Sequence, residues 1–117
     1  MTKTDSLRGY SFKVHQRDDF KCRYCGLDGK KSFDNWLNLS RDHLLPKDHT
    51  DRDKDEYIVT ACKFCNTADN GYFGQAQERG LKFDGLTPDE LVKQRMKYVN
   101  ETRNSYKMFW EEKVKEK

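Results

Sequence analysis

Cys22-Arg-Tyr-Cys25-Gly26 and Cys62-Lys-Phe-Cys65-Asn66, with Arg41-Asp42-His43-Leu44-Leu45-Pro46-Lys47 between them, decide how this chain folds. A two-residue gap lets both sulfurs of a pair face one ion from a tight turn. Two such pairs supply the four thiolates of a closed tetrahedral zinc site, with no position left open for chemistry. Cys22, Cys25, Cys62 and Cys65 are therefore expected to hold a structural Zn²⁺. The long interval between the pairs leaves room for a hairpin between the first knuckle and a helix that begins near Cys62.

The rest of the chain agrees with a metal-stapled domain. Of 117 residues, 34% are hydrophobic and 37% charged, which leaves material for only one modest core. Seven Phe, six Tyr and two Trp set it apart from a disordered composition. The formal charge of +3 permits nucleic-acid binding without arguing for it. No apolar run approaches the length of a membrane span, and the N-terminus has no signal-like apolar segment. The expectation is a cytoplasmic protein with no membrane partner, where disulfides are rare and paired cysteines hold metal.

Working outward, residues 1–9 are polar and expected to fray. A short helix is expected over Ser11–Arg17, and a strand from about Leu37 to Leu44, stopped by Pro46. Tyr57-Ile-Val-Thr reads as a second strand, followed by a helix over about Lys63–Ala68, interrupted near Asn70-Gly71 and resuming towards Glu78. Thr87-Pro88-Asp89-Glu90 is a capping box with Pro at the first helical position. It should open a long helix over about residues 87–115, with Val92, Met96, Val99, Tyr106 and Trp110 on one stripe. That stripe is expected to pack on the zinc core; a homodimer contact is the second expectation. The fold class is α+β: one domain over residues 1–117, its core at about 10–78, with a long C-terminal helix.

Together these motifs resemble the HNH endonucleases, in their four-cysteine zinc branch with a treble-clef, ββα-metal core. The lead-in Val14-His-Gln-Arg17-Asp18-Asp19-Phe20-Lys-Cys22 and Asp42-His43-Leu-Leu-Pro46-Lys47 carry the likeness along with the cysteines, over about residues 10–71. The resemblance implies that Asp42 and Asn66 ligate one catalytic divalent ion, Mg²⁺ or another such as Mn²⁺. It implies that His43 is the general base, and that the activity is metal-dependent hydrolysis of DNA phosphodiesters. The residue types suit that chemistry: Asp and Asn offer hard oxygen donors, and His is neutral and basic near pH 7. Asp42 and His43 are neighbours on a strand and must converge on one phosphate, so the strand is expected to bend or end there. Arg41 and Lys47 are the candidate DNA-phosphate contacts. The family's middle Asn is replaced by Tyr57, and Asp48 or Asp55 is expected to brace the loop instead. His15 and His49 are read as exposed. The rival reading is a non-catalytic zinc-binding module for nucleic acid or protein, which would have no need of Asp42, His43 and Asn66 together.

Overall fold

The computed structural model of the protein describes residues 7–116; residues 1–6, within the stretch expected to fray, lie outside it. Helix α1 (Phe12–Arg17) leads into the first knuckle. Helix α2 (Phe33–Leu37) precedes strand β1 (Leu39–His43), and a 3₁₀ turn at Asp55–Tyr57 precedes β2 (Ile58–Cys62). Then follow α3 (Lys63–Thr67), α4 (Ala76–Arg79) and α5 (Pro88–Lys113). The two strands pair antiparallel, with Leu39 opposite Cys62 and His43 opposite Ile58. With α3 directly after β2, the order is the ββα of a small α+β zinc domain.

β2 is buried along its whole length because both of its faces are covered. Alternation puts Val59 and Ala61 on one face, in the main core with Leu44, Leu45, Leu91, Val92 and Val99. Ile58 and Thr60 take the other face, where α1 packs. There the ring of His15, fully buried, sits with Nδ1 2.7 Å from Thr60 Oγ1. His15 is thus not the exposed residue its polar surroundings suggested. It shares a stripe with Ser11 and Val14, and the β-branched strand calls that stripe inward.

The turn from α1 to the knuckle is tight. Asp19 and Phe20 both adopt positive φ, and Phe20 N–H donates to His15 O at 2.7 Å. After the knuckle, Gly26 at φ 80° takes the left-handed conformation that lets its N–H reach Cys22 O. Gly29 is held to hydrogen for a different reason, since a Cβ there would lie 2.7 Å from Leu39 Cδ1.

α2 is a helix that the hydrophobic pattern of the sequence does not announce. Its signal is local: Ser32 Oγ accepts the Asn35 N–H at 3.0 Å, a cap that shifts the start of the strand from Leu37 to Leu39. The capping box at Thr87 forms as written, with Glu90 N–H on Thr87 Oγ1 at 3.1 Å and Thr87 N–H on Glu90 Oε1 at 2.8 Å. α5 buries Leu91, Val92, Arg95 and Val99. Its second half does not follow the expectation of packing on the zinc core: Tyr106, Met108, Phe109 and Trp110 are exposed. The core is too small to cover 26 residues of helix, about 39 Å.

Candidate metal centre and active site

The four cysteine sulfurs lie within 4.8 Å of one another, and Cys25 Sγ is 3.8 Å from Cys62 Sγ. A tetrahedron with Zn–S bonds of about 2.3 Å has sulfur–sulfur edges of about 3.8 Å, so the thiols fit zinc. Each knuckle is built by its own backbone. Cys25 N–H points at Cys22 Sγ, and Cys65 N–H at Cys62 Sγ, which also caps α3. Arg23 N–H donates to Thr60 O at 2.9 Å and ties the first knuckle to β2. Hydrogen bonds from Cys22, Cys62 and Cys65 hold the Cys25 thiol far below its usual range, while the same mesh drives Cys65 up. Zinc takes thiolates, not thiols, so metal binding at this cluster would release protons.

A second site opens at the end of β1. Asp42, His43 and Asn66 line one pocket of about 220 Å³, together with Arg52, Asp69 and Arg95. β1 ends at His43, and both neighbours line the cavity at that end of the strand. Asn66 is fixed from behind: its Nδ2 donates to Ser40 Oγ and to Arg41 O, both at 2.9 Å. That orientation leaves Oδ1 as the free acceptor of the amide.

Asp42 is 3% exposed. Tyr24 Oη donates to its Oδ2 at 2.6 Å, and Arg95 Nη1 lies 3.3 Å from its Oδ1. Burial pushes Asp42 up to about 6, against the opposing pull of the Arg95 guanidinium. Arg95 in turn donates from Nη2 to Asn66 O at 3.1 Å and lies 4.9 Å from the Tyr72 ring centroid. His43 is partly exposed, with Nε2 3.5 Å from Asp53 Oδ1. Burial, then the cations Arg52 and Arg41, hold its pKa below the usual 6.5 and keep it neutral at pH 7.

A hard divalent ion is compatible with this donor set. A carboxylate has about four lone-pair sites, and Asp42 has two engaged; Asn66 Oδ1 is free. The cost is the neighbouring charge of Arg95, with which any such ion must share Asp42.

Arg41 and Lys47 do not line the pocket. The Arg41 guanidinium stacks 4.3 Å from the Tyr10 ring centroid, and Lys47 is exposed on the following loop. Arg52 takes the cationic place beside His43 instead. The loop lacking the family's Asn is braced by a residue read as solvated: His49 Nε2 lies 2.8 Å from Asp84 Oδ1, and its Nδ1 accepts the Asp51 N–H. Asp55 contributes through its backbone oxygen, which accepts from Arg17 Nη1, and through a 2.8 Å ion pair with Lys13. Tyr57 O closes the ladder by accepting from Leu44 N–H. Asp69 carries no phosphate-binding charge; Arg79 neutralises it.

Arg95 belongs to no motif that sets it apart from the other charges on α5. A signal was present, because Arg95 falls on the same helical face as Leu91, Val92 and Val99 and so had to be buried and partnered. No described helix is long and apolar enough to cross a membrane. No curated protein and no solved structure matches the chain. Residues 22–71, the stretch that holds both cysteine knuckles, the paired strands and α3, match the family model described as HNH endonuclease.

Proposed function

We propose that this protein is a metal-dependent endonuclease that hydrolyses DNA phosphodiester bonds. The match to the HNH endonucleases supports a nuclease-type activity. The observation that carries the finer reading is the convergence of Asp42, His43 and Asn66 on one pocket from the end of β1 and from α3. Asp42 and the Oδ1 of Asn66 would hold Mg²⁺ or Mn²⁺, which when bound stabilises negative charge on the phosphate and on the leaving 3′ oxygen. His43, neutral at pH 7, takes a proton from the attacking water. Asp53, beside His43 Nε2, favours the imidazolium that results. Arg52 and Arg95 place positive charge on the walls where the phosphate must sit. The product pair would be a 5′ phosphate and a 3′ hydroxyl.

One observation favours the rival reading of a non-catalytic zinc module: both oxygens of Asp42 already have partners in Tyr24 and Arg95. Plasmid nicking with Mg²⁺ or Mn²⁺ separates the two. Zinc-loaded wild type should relax supercoiled plasmid, and His43→Ala should lose that activity. A folded, zinc-loaded wild type that cuts with neither ion sinks the enzyme reading.

A further inference from the structure

The second half of α5 carries a surface that the catalytic pocket does not use. Tyr106 is 63% exposed and Trp110 44%, and with Phe64 of α3 they wall a groove of about 460 Å³. The cations of this groove are Arg103 and Lys107. The Phe64 and Tyr106 rings meet edge to face at 5.1 Å, and the Arg103 guanidinium lies 5.7 Å from the Phe64 centroid. At about 100° per residue, Lys113, Tyr106, Trp110, Arg103 and Lys107 share an arc of about 120°. Glu101, Glu111 and Glu112 all fall outside it.

The charge pattern decides what fits. A second copy meeting the same face through a two-fold axis would set Arg103 and Lys107 against their own counterparts. An anionic, ring-bearing polymer meets both features at once: phosphates on the cations, bases on the exposed aromatic faces. Duplex DNA hides its base faces, so the ring faces here suit unpaired nucleotides. Arg103 lies eight residues beyond Arg95 on the same helix, which puts the groove about 12 Å along the axis from a residue of the catalytic pocket.

We propose that the Phe64–Tyr106–Trp110 groove, with Arg103 and Lys107, is a single-stranded nucleic-acid binding site that holds an unpaired strand close to the catalytic pocket. Its placement as part of a substrate path rests on the nuclease reading; the binding itself does not.

The test uses the full chain, zinc-loaded and without added Mg²⁺. Trp36→Phe leaves Trp110 as the sole tryptophan, and oligothymidylate is the titrant. Trp110 emission should be quenched saturably, and a duplex of equal length should bind at least tenfold more weakly. Trp110→Ala, measured by anisotropy of labelled oligothymidylate, should weaken binding about tenfold or more. Arg103→Glu with Lys107→Glu should weaken it further and flatten the log–log salt slope by about 1.4. Unquenched emission, equal affinity for duplex, or emission that changes with protein concentration alone and tracks a dimer in sedimentation would each overturn the proposal. Quenching without plasmid nicking would leave the groove and remove the nuclease; nicking without quenching would do the reverse.

Discussion

Asp42 and Arg95 form a buried ion pair between β1 and α5, with Arg95 Nη1 3.3 Å from Asp42 Oδ1 and both residues under 5% exposed. The pair binds the C-terminal helix to the candidate catalytic strand. Taking two charges out of water is costly, and here the compensation is divided among several contacts. Tyr24 satisfies the second carboxylate oxygen, the carbonyl of Asn66 takes one guanidinium N–H, and the Tyr72 ring lies against the cation.

Removing one partner should therefore cost more than removing both. Arg95→Met leaves Asp42 buried without its cation and should lower unfolding stability by about 3–5 kcal/mol. Adding Asp42→Asn to it should restore a large part of that loss, giving a coupling of 1 kcal/mol or more, on the order found for contacting charged pairs. Denaturant melts of the wild type, both single variants and the double variant measure it. Additive losses would mean that the two side chains do not depend on each other.

Zinc should be required for folding, not for the cut. The core is small and all four thiols are part of it or packed against it. A purified sample should hold one tightly bound zinc. Cys65→Ser, or a chelator strong enough to strip the ion, should abolish the cooperative melt and the far-ultraviolet signature together. Replacement by Co²⁺ should restore both and give the visible absorption of a tetrahedral thiolate site. A chain that melts unchanged after its metal is gone would refute the structural role.

Much of this was legible because local chemistry and the fold agree. The knuckles, the capping box at Thr87 and the β-branched run before Cys62 each specify their own geometry within a few residues. What was not legible depends on partners far away in sequence. His15 is buried because Thr60 lies across from it, and His49 is ordered because Asp84 reaches it. Arg95 is internal because Asp42 needs a cation. The exposed second half of α5 follows from a limit on core volume that no helical periodicity reveals. For the two histidines and Arg95 the residue type argues for the surface and a distant contact overrides it; for the end of α5 the aromatic residues argue for burial and the core runs out.

The pH dependence of cleavage follows from His43. Burial and the nearby Arg52 and Arg41 lower its pKa below 6.5, and only the neutral ring can accept a proton from water. The rate should therefore rise with pH through that depressed pKa and level off by pH 7. Asp42 must also be ionised to hold a divalent ion, and burial raises its pKa to about 6 before any ion binds, so the Mn²⁺ concentration needed for saturation should rise below that pH. His43→Ala should lose about 10²–10⁴-fold in rate and the His-dependent part of that limb. Arg52→Ala should move the limb to higher pH by removing a positive charge beside the ring. A pH–rate profile of the three proteins at saturating Mn²⁺ decides this, and an unshifted limb in Arg52→Ala would count against His43 as the titrating group.

His15 makes a separate prediction, about stability alone. Its ring is fully buried, Nδ1 faces Thr60 Oγ1, and Nε2 has no partner. Protonation would put a charged N–H into a space with nothing to accept it. Burial lowers the pKa below 6.5, and the Asp18 carboxylate opposes that only in part. A folded pKa below the unfolded one means that the unfolded chain binds the extra proton first. The stabilising contribution is thus complete above about pH 6.5 and is lost as pH falls through the folded pKa. Asp18, whose own pKa is lowered, loses its contribution only further into acid, below its usual 3.8. His15→Gln removes the titration but retains a polar group facing Thr60. Its unfolding free energy should be lower than wild type at pH 7.5, and the gap should narrow as pH falls through the window that opens at 6.5. Urea melts at intervals between pH 7.5 and 4.5 trace that gap; a constant difference across the range would show that His15 keeps one protonation state throughout.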